Sequence, residues 1–305
     1  MDEFELISRY FDRQQGASGV IVGIGDDGAV LAPSGDHDQI QVIDTLVSGV
    51  HFPADTNPAD IAYRAVAVNL SDVAAMGGRP RWMTLALTVD DPNANWLESF
   101  ASGLFMAADA HAVALVGGDT TRGPTVTVTV AMTAEVEPGN ALLRSGARCG
   151  DAVFVTGTLG DAAAGLDLLQ RNEENKFLTA RFLRPSARVA TGQALSTLAS
   201  AAIDVSDGLA GDLAKILQAS GVGAEVDIEK LPLSLELCER FNAARRHSFA
   251  LTGGDDYELC FTARADAVAD IPGITEIGIV TESPQMQFRL HGDVVEVSDS
   301  GYRHF

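Results

Sequence analysis

Apolar and polar positions along this chain change period several times, and each change marks an element. From residue 2 to about residue 15 apolar residues return at helical spacing, with Phe4, Ile7, Tyr10 and Phe11 on one face. Residues 39–44 alternate with period two and predict a strand whose end presents Asp44. Asn57-Pro58 has the chemistry of a helix start, with Asn as cap and Pro at the first helical position. That helix is predicted to run through Ala65, Val66 and Val68 towards Met76-Gly77-Gly78. Residues 82–89 predict a strand and 96–111 a helix. Residues 112–116 predict a buried strand ending at Gly117-Gly118-Asp119-Thr120-Thr121, and 125–133 alternate cleanly as another strand.

Glu137-Pro138-Gly139-Asn140 reads as a linker. Beyond it the pattern gives a strand at 152–156, a Gly-rich turn, and a helix from about Asp161. Arg184-Pro185-Ser186 separates two more helices. A short strand at 201–205 precedes a helix at 207–218, and a strand at 259–261 precedes a β-rich tail to about residue 297. Strands and helices mix in both halves, so the expected class is α/β and α+β in two domains, 1–137 and 138–305. Ser71-Asp72 precedes Gly117-Gly118-Asp119 by nearly the distance at which Ser206-Asp207 precedes Gly253-Gly254-Asp255. This echo suggests two halves built on one plan.

A chain of 305 residues with 46% hydrophobic content can bury a sizeable core. Its net charge of -21 argues against nucleic acid and against anionic membrane as partners. An anionic substrate would need metal ions in order to approach it. Cys149, Cys238 and Cys260 are far apart and lack C-x-x-C spacing, which argues against a disulfide framework and a zinc site. The acidic start lacks a signal-peptide pattern, and no apolar run approaches the roughly 20 residues of a spanning helix. A soluble cytoplasmic protein is expected.

Charge placement says more than charge total. Gly23-Ile24-Gly25-Asp26-Asp27-Gly28 sets adjacent carboxylates between glycines, which permit close backbone approach to a ligand. Adjacent acids repel unless a cation neutralises them. Taken alone, the stretch reads equally as a tight acidic turn. The theme returns at Asp44, at Asp72 after Asn69-Leu70-Ser71, at Asp119 after Gly117-Gly118, and at Asp204 and Asp207 within Ile203-Asp204-Val205-Ser206-Asp207-Gly208. Paired carboxylates also serve acid-base chemistry in glycosidases. So many aspartates beside glycine instead suit Mg²⁺ held between protein and phosphate oxygens. No G-x-x-x-x-G-K-[ST], H-R-D or D-F-G signature is present. Any bound nucleotide would therefore rely on metal, with an arginine such as Arg144 adding a forked contact.

These stretches, together with Asp44-Thr45-Leu46-Val47, Gly49-Val50-His51-Phe52 and Gly253-Gly254-Asp255-Asp256-Tyr257-Glu258-Leu259, resemble the thiamine-monophosphate kinase family. That family belongs to the ATP-binding superfamily that includes aminoimidazole ribonucleotide synthetase. The resemblance runs in order along essentially the whole chain, and six motifs in register are specific where one is weak. It implies an α/β N-terminal domain for ATP, Mg²⁺ and dimerisation, a C-terminal α+β domain completing a cleft, and a homodimer. The implied reaction is ATP plus thiamine phosphate giving thiamine diphosphate and ADP. By this match Asp27, Asp44, Asp72, Asp119, Asp204 and Asp207 hold several Mg²⁺ ions. Gly118, Asp119, Arg144 and Ser206 contact ATP. His51, Asp255 and Tyr302 lie at the thiamine phosphate site, with Asp26 as an addition.

Three departures stand out. Val42 and Ile43 occupy positions where the family often has hydroxyls, leaving backbone oxygens for any metal contact there. Asp255 stands where the family often has Glu, and no aromatic lies in register near Ala101. Other superfamily members fit less well. The N-terminal cysteine of a selenophosphate synthetase and the C-terminal cysteine of the hydrogenase-maturation relative are both missing. A non-catalytic Mg-nucleotide-binding protein is the alternative from another class.

Overall fold

Asn57 and Pro58 start a helix as their chemistry requires. The Asn57 side chain accepts the Ala59 N–H at 2.9 Å, and the helix runs from Pro58 to Ala75. The computed structural model describes residues 3–12, 17–25 and 28–297. It divides into two compact units, Met1–Val73 with Arg79–Gly139, and Ala74–Gly78 with Asn140–Phe305.

In chain order the first unit holds α1 (Glu3–Tyr10), β1 (Val20–Val22), β2 (Val30–Leu31), β3 (Asp38–Val47), α2 (Pro58–Ala75), β4 (Arg79–Val89), α3 (Ala94–Asp109), β5 (Ala114–Arg122) and β6 (Thr127–Val136). Strands β3, β6, β4 and β5 form one sheet in that order. The β4/β5 pair is parallel, so its connection is the crossover helix α3. Period-two patterning puts Val128, Val130 and Met132 of β6 on the buried face beside Leu85 and Leu87 of β4. The opposite face is open: Thr84, Ala86, Gln41 and Thr45 are exposed, and Ile43 is 66% exposed. Gly103 of α3 sits so close to α2 that a Cβ would collide with the Ala59 carbonyl.

Several boundaries differ from the sequence expectation, and two have a clear local cause. Helix α3 starts earlier than residue 96 because Asn93 caps it, accepting the Trp96 N–H. Strand β5 continues through Gly117 and Gly118 to Arg122, because pairing with β4 satisfies its backbone whatever its side chains.

The second unit holds β7 (Ala152–Thr156), α4 (Asp161–Gln170), α5 (Lys176–Leu183), α6 (Val189–Leu195), β8 (Ala201–Asp204), α7 (Leu209–Ser220), β9 (Gly223–Asp227), α8 (Leu235–Arg240), α9 (Ala243–Thr252), β10 (Leu259–Ala263), β11 (Ile274–Thr281), β12 (Met286–Leu290) and β13 (Asp293–Val295). Its sheet has the order β13-β12-β9-β11-β7-β10-β8. Every residue of β7 and β10 is buried, so both faces of the centre are covered. One side packs Val153, Val155 and Ile203 with Leu209, Leu213 and Ile216 of α7. Phe154 and Phe261 stack with ring centroids 5.2 Å apart.

The suggested repeat of one plan is not seen. Ser71 and Asp72 lie inside α2, whereas Ser206 and Asp207 lie in the turn before α7. Gly117-Gly118-Asp119 is part of a strand, whereas Gly253-Gly254-Asp255 follows a helix. Similar spacing here joins unlike elements.

Candidate active site

Two stretches about ninety residues apart meet in the first unit. Gly25 and Gly28, which flank the paired aspartates, line a cavity of about 430 Å³ together with Gly117, Gly118, Asp119 and Thr120 of β5. Ile7 and Phe11 add an apolar wall. Gly25 has φ 117°, and a Cβ at Gly25 or Gly28 would meet nothing within 4 Å, so both leave open room beside the backbone. Gly118, at φ 157°, faces the other constraint: a Cβ there would collide with the Leu85 carbonyl of β4. Asp119 follows at the exposed edge strand. Among the described residues the cavity therefore has backbone on two sides, the Asp119 carboxylate, and an apolar flank. Asp26 and Asp27 lie outside the described residues, as does Tyr302.

Asp44 is half-buried on β3, opposite buried Val130, on the face that also carries Ile40 and Leu46. A carboxylate on such a face requires polar company. Asp72 is half-buried in α2, next to fully buried Ser71. His51 lies in the tight loop after β3, where its Nδ1 accepts the Val47 N–H at 3.0 Å. That bond assigns the proton of the neutral ring to Nε2. Arg144 is exposed in the second unit, and its carbonyl accepts from Ser220 Oγ at 3.4 Å.

The second unit joins the other two motifs. The Asp255 N–H donates to the Ser206 carbonyl at 2.9 Å, and the Tyr257 N–H to the Val205 carbonyl at 2.9 Å. Asp255 and Tyr257 both have left-handed backbones, φ 63° and 52°, and the Tyr257 hydroxyl donates to Asp255 Oδ1 at 3.1 Å. Two non-glycine residues held there mark local strain of the kind that gathers at functional sites. Asp204 ends β8 almost fully buried, and Gly208, at φ 110°, turns the chain into α7. The side chain of Asp207 pairs with Lys215 at 2.6 Å.

Beneath the Asp255 loop lies a polar network that sequence reading did not assign. Asp256, fully buried, accepts the Gly160 N–H at 2.6 Å and the Ala162 N–H at 3.2 Å at the start of α4. Burial pushes its carboxyl up to about 8, against the pull of those N–H groups and of Arg181. Glu258 is gripped by Arg188 through two bonds of 2.5 Å, by Arg181 at 2.8 Å and by Thr156 Oγ1 at 2.6 Å. Residues 256 and 258 thus anchor inward on both sides of Tyr257. Glu258 stood within a recognised motif, but no local pattern links it to Arg181 and Arg188, some seventy residues away.

All six expected metal ligands are aspartates, an oxygen-only set that suits a hard cation such as Mg²⁺ and not zinc. Among the described residues, no three His, Cys, Asp or Glu side chains group closely enough to hold a metal ion. Within the first unit the fold unites Gly25 and Gly28 with residues 117–120; within the second it unites 204–208 with 253–258. The open backbone beside Gly25 and Gly28, with Asp119 on the same cavity, fits a metal-bound phosphate chain.

Comparison with known proteins shows the family and the fold. A family model for the AIR synthase related protein, N-terminal domain, matches residues 25–136, and one for the AIR synthase related protein, C-terminal domain, matches residues 148–291. Thiamine-monophosphate kinase of Escherichia coli (strain K12) is 45% identical over 319 residues, covering 99% of this chain and 98% of that protein. The crystal structure of thiamine-monophosphate kinase from Stenotrophomonas maltophilia K279a matches with a TM-score of 0.88 at 42% identity, over 97% of this chain and 98% of that one. The solved structure of AaThiL complexed with AMPPCP and TMP matches with a TM-score of 0.82 at 36% identity, over 92% of both chains. With both halves matched by family models and full-length relatives this similar, the chain belongs to the thiamine-monophosphate kinase family of AIR-synthase-related proteins.

Proposed function

We propose that this chain transfers the γ-phosphoryl group of ATP to thiamine phosphate, giving thiamine diphosphate and ADP. The observation that carries this reading is the cavity shared by Gly25, Gly28, Gly118 and Asp119 in a chain of this family. Residues 1–137 serve ATP, Mg²⁺ and dimerisation, and 138–305 complete the site. Asp27, Asp44, Asp72, Asp119, Asp204 and Asp207 are the carboxylates that would hold Mg²⁺. When bound, the ions neutralise the phosphates and align the γ-phosphoryl group.

The protein's own groups have a defined share of the work. A phosphate monoester has a second pKa of about 6, so the acceptor is largely a dianion at neutral pH and no strong base is required. The backbone at Gly118 and the side chains of Arg144 and Ser206 orient ATP. His51, its ring oriented by the Val47 N–H on Nδ1, contacts the acceptor phosphate. Asp255, Tyr302 and, beside the metal set, Asp26 complete the contacts. Transfer is direct and in line, without a phosphoenzyme.

The open face of the β3-β6-β4-β5 sheet, with exposed Ile43 on its edge strand β3, supports a homodimer. Among the described residues no helix is long and apolar enough to cross a membrane; we place the protein in the cytoplasm. Incubation with ATP, Mg²⁺ and thiamine phosphate should yield thiamine diphosphate, detected by chromatography. Nucleotide binding without turnover would instead favour a non-catalytic Mg-nucleotide-binding protein.

A further inference from the structure

Lys215 is a residue of the second unit whose position the reaction does not account for. It lies on α7, eight residues after Asp207. Its Nζ stands 2.6 Å from Asp207 Oδ2 and 2.8 Å from Asp212 Oδ1. Asp212 is fully buried, and its other oxygen accepts the N–H groups of Ser206 and Asp207, both at 2.9 Å. Asp212 is therefore a fixed post that holds the turn before α7 and one side of the ammonium. The Asp207 carboxylate is a third exposed, and the Lys215 side chain about as much. Of the two contacts made by Lys215, the one to Asp207 is the one that can open. If it opens, the ammonium keeps Asp212 as partner and no buried charge is left alone.

We propose that Lys215 is a tethered counter-cation that neutralises Asp207 while no divalent ion is bound there and competes with the ion for that carboxylate. The proposal rests on the reading of Asp207 as a Mg²⁺ ligand. A lysine ammonium and a divalent ion cannot both occupy the same oxygen at contact distance, because like charges so close repel by far more than either contact returns. Lys215 thereby raises the Mg²⁺ concentration needed to fill the site. It also removes one negative charge from an acidic stretch in a chain of net charge -21. Lys215 is a positioning residue, acting through Asp207.

The test uses the full chain with a non-hydrolysable ATP analogue held at one saturating concentration. Free Mg²⁺ is titrated, and binding is followed by the rise in melting temperature, a readout independent of turnover. Lys215→Met should lower the half-saturating Mg²⁺ about two- to five-fold, the size expected for a part-exposed ion pair. Lys215→Arg, which keeps the charge, should stay near the unsubstituted protein. Lys215→Gln serves as a second neutral variant should the methionine variant fold poorly. An unchanged or raised half-saturation in both neutral variants, with Asp207→Asn weakening Mg²⁺ binding, overturns the proposal and leaves Asp207 as a ligand. No change on Asp207→Asn removes Asp207 from the ligand set and overturns both.

Discussion

Asp119 and His51 differ in how chemistry and stability can be separated. Asp119 is exposed on an edge strand, so Asp119→Asn keeps shape and removes only charge. Turnover should fall by about 10²-fold or more at saturating Mg²⁺, with the melting temperature nearly unchanged; steady-state kinetics and a thermal melt check both. His51→Ala should raise the KM for thiamine phosphate about tenfold or more while the KM for ATP holds, because its ring contacts the acceptor in the proposed reading. An effect confined to ATP would misplace it. At this scale the sequence showed which residue types were unusual. It could not show that the His51 ring is fixed by the Val47 N–H, a bond that depends on the loop closing between Ser48 and Phe52.

Single elements carry constraints that no isolated residue reveals. Gly118→Ala would place a Cβ against the Leu85 carbonyl at a φ of 157°, pushing β5 away from β4. The expected cost is about 1–3 kcal/mol, with loss of ATP-analogue binding, measurable by urea unfolding and calorimetric titration. The start of α2 was legible because cap chemistry is local: Asn57 and Pro58 act on their own neighbours. The length of β5 was not legible, because its pairing partner β4 extends it past glycines that would otherwise end a strand. The Glu258, Arg181 and Arg188 network was equally hidden, since its members sit on different elements.

The whole molecule responds to pH and to its own exposed surface. Glu135 on β6 is buried, which alone would raise its carboxyl. The Ser34 N–H, Arg79 and Arg81 outweigh that and bring it down to about 2. A depressed carboxyl stabilises fully above its ordinary value of about 4.5, and the contribution is lost as pH falls towards 2. Glu135→Gln should therefore lower stability near pH 7 by up to about 3 kcal/mol, less the screening felt by half-exposed Arg79. The gap should close between about pH 4.5 and 2, as followed by denaturant melts across that range. Ile43→Lys, on the open sheet face, should shift the proposed dimer to monomer in light scattering while each unit keeps its circular dichroism.

Local rules fixed much of this chain before any contact was known. Period-two and helical patterning gave most strands and helices, because a side chain's direction repeats with the backbone. Glycines beside aspartates marked the stretches that meet a ligand, because only they combine close approach with charge. Only the tertiary structure decided that Gly25 and Gly118 share one cavity, that Tyr257 is held between two inward-anchored acids, and that Lys215 closes on Asp207. Those are meetings of residues distant in sequence, set by sheet register and helix packing, which no window along the chain contains.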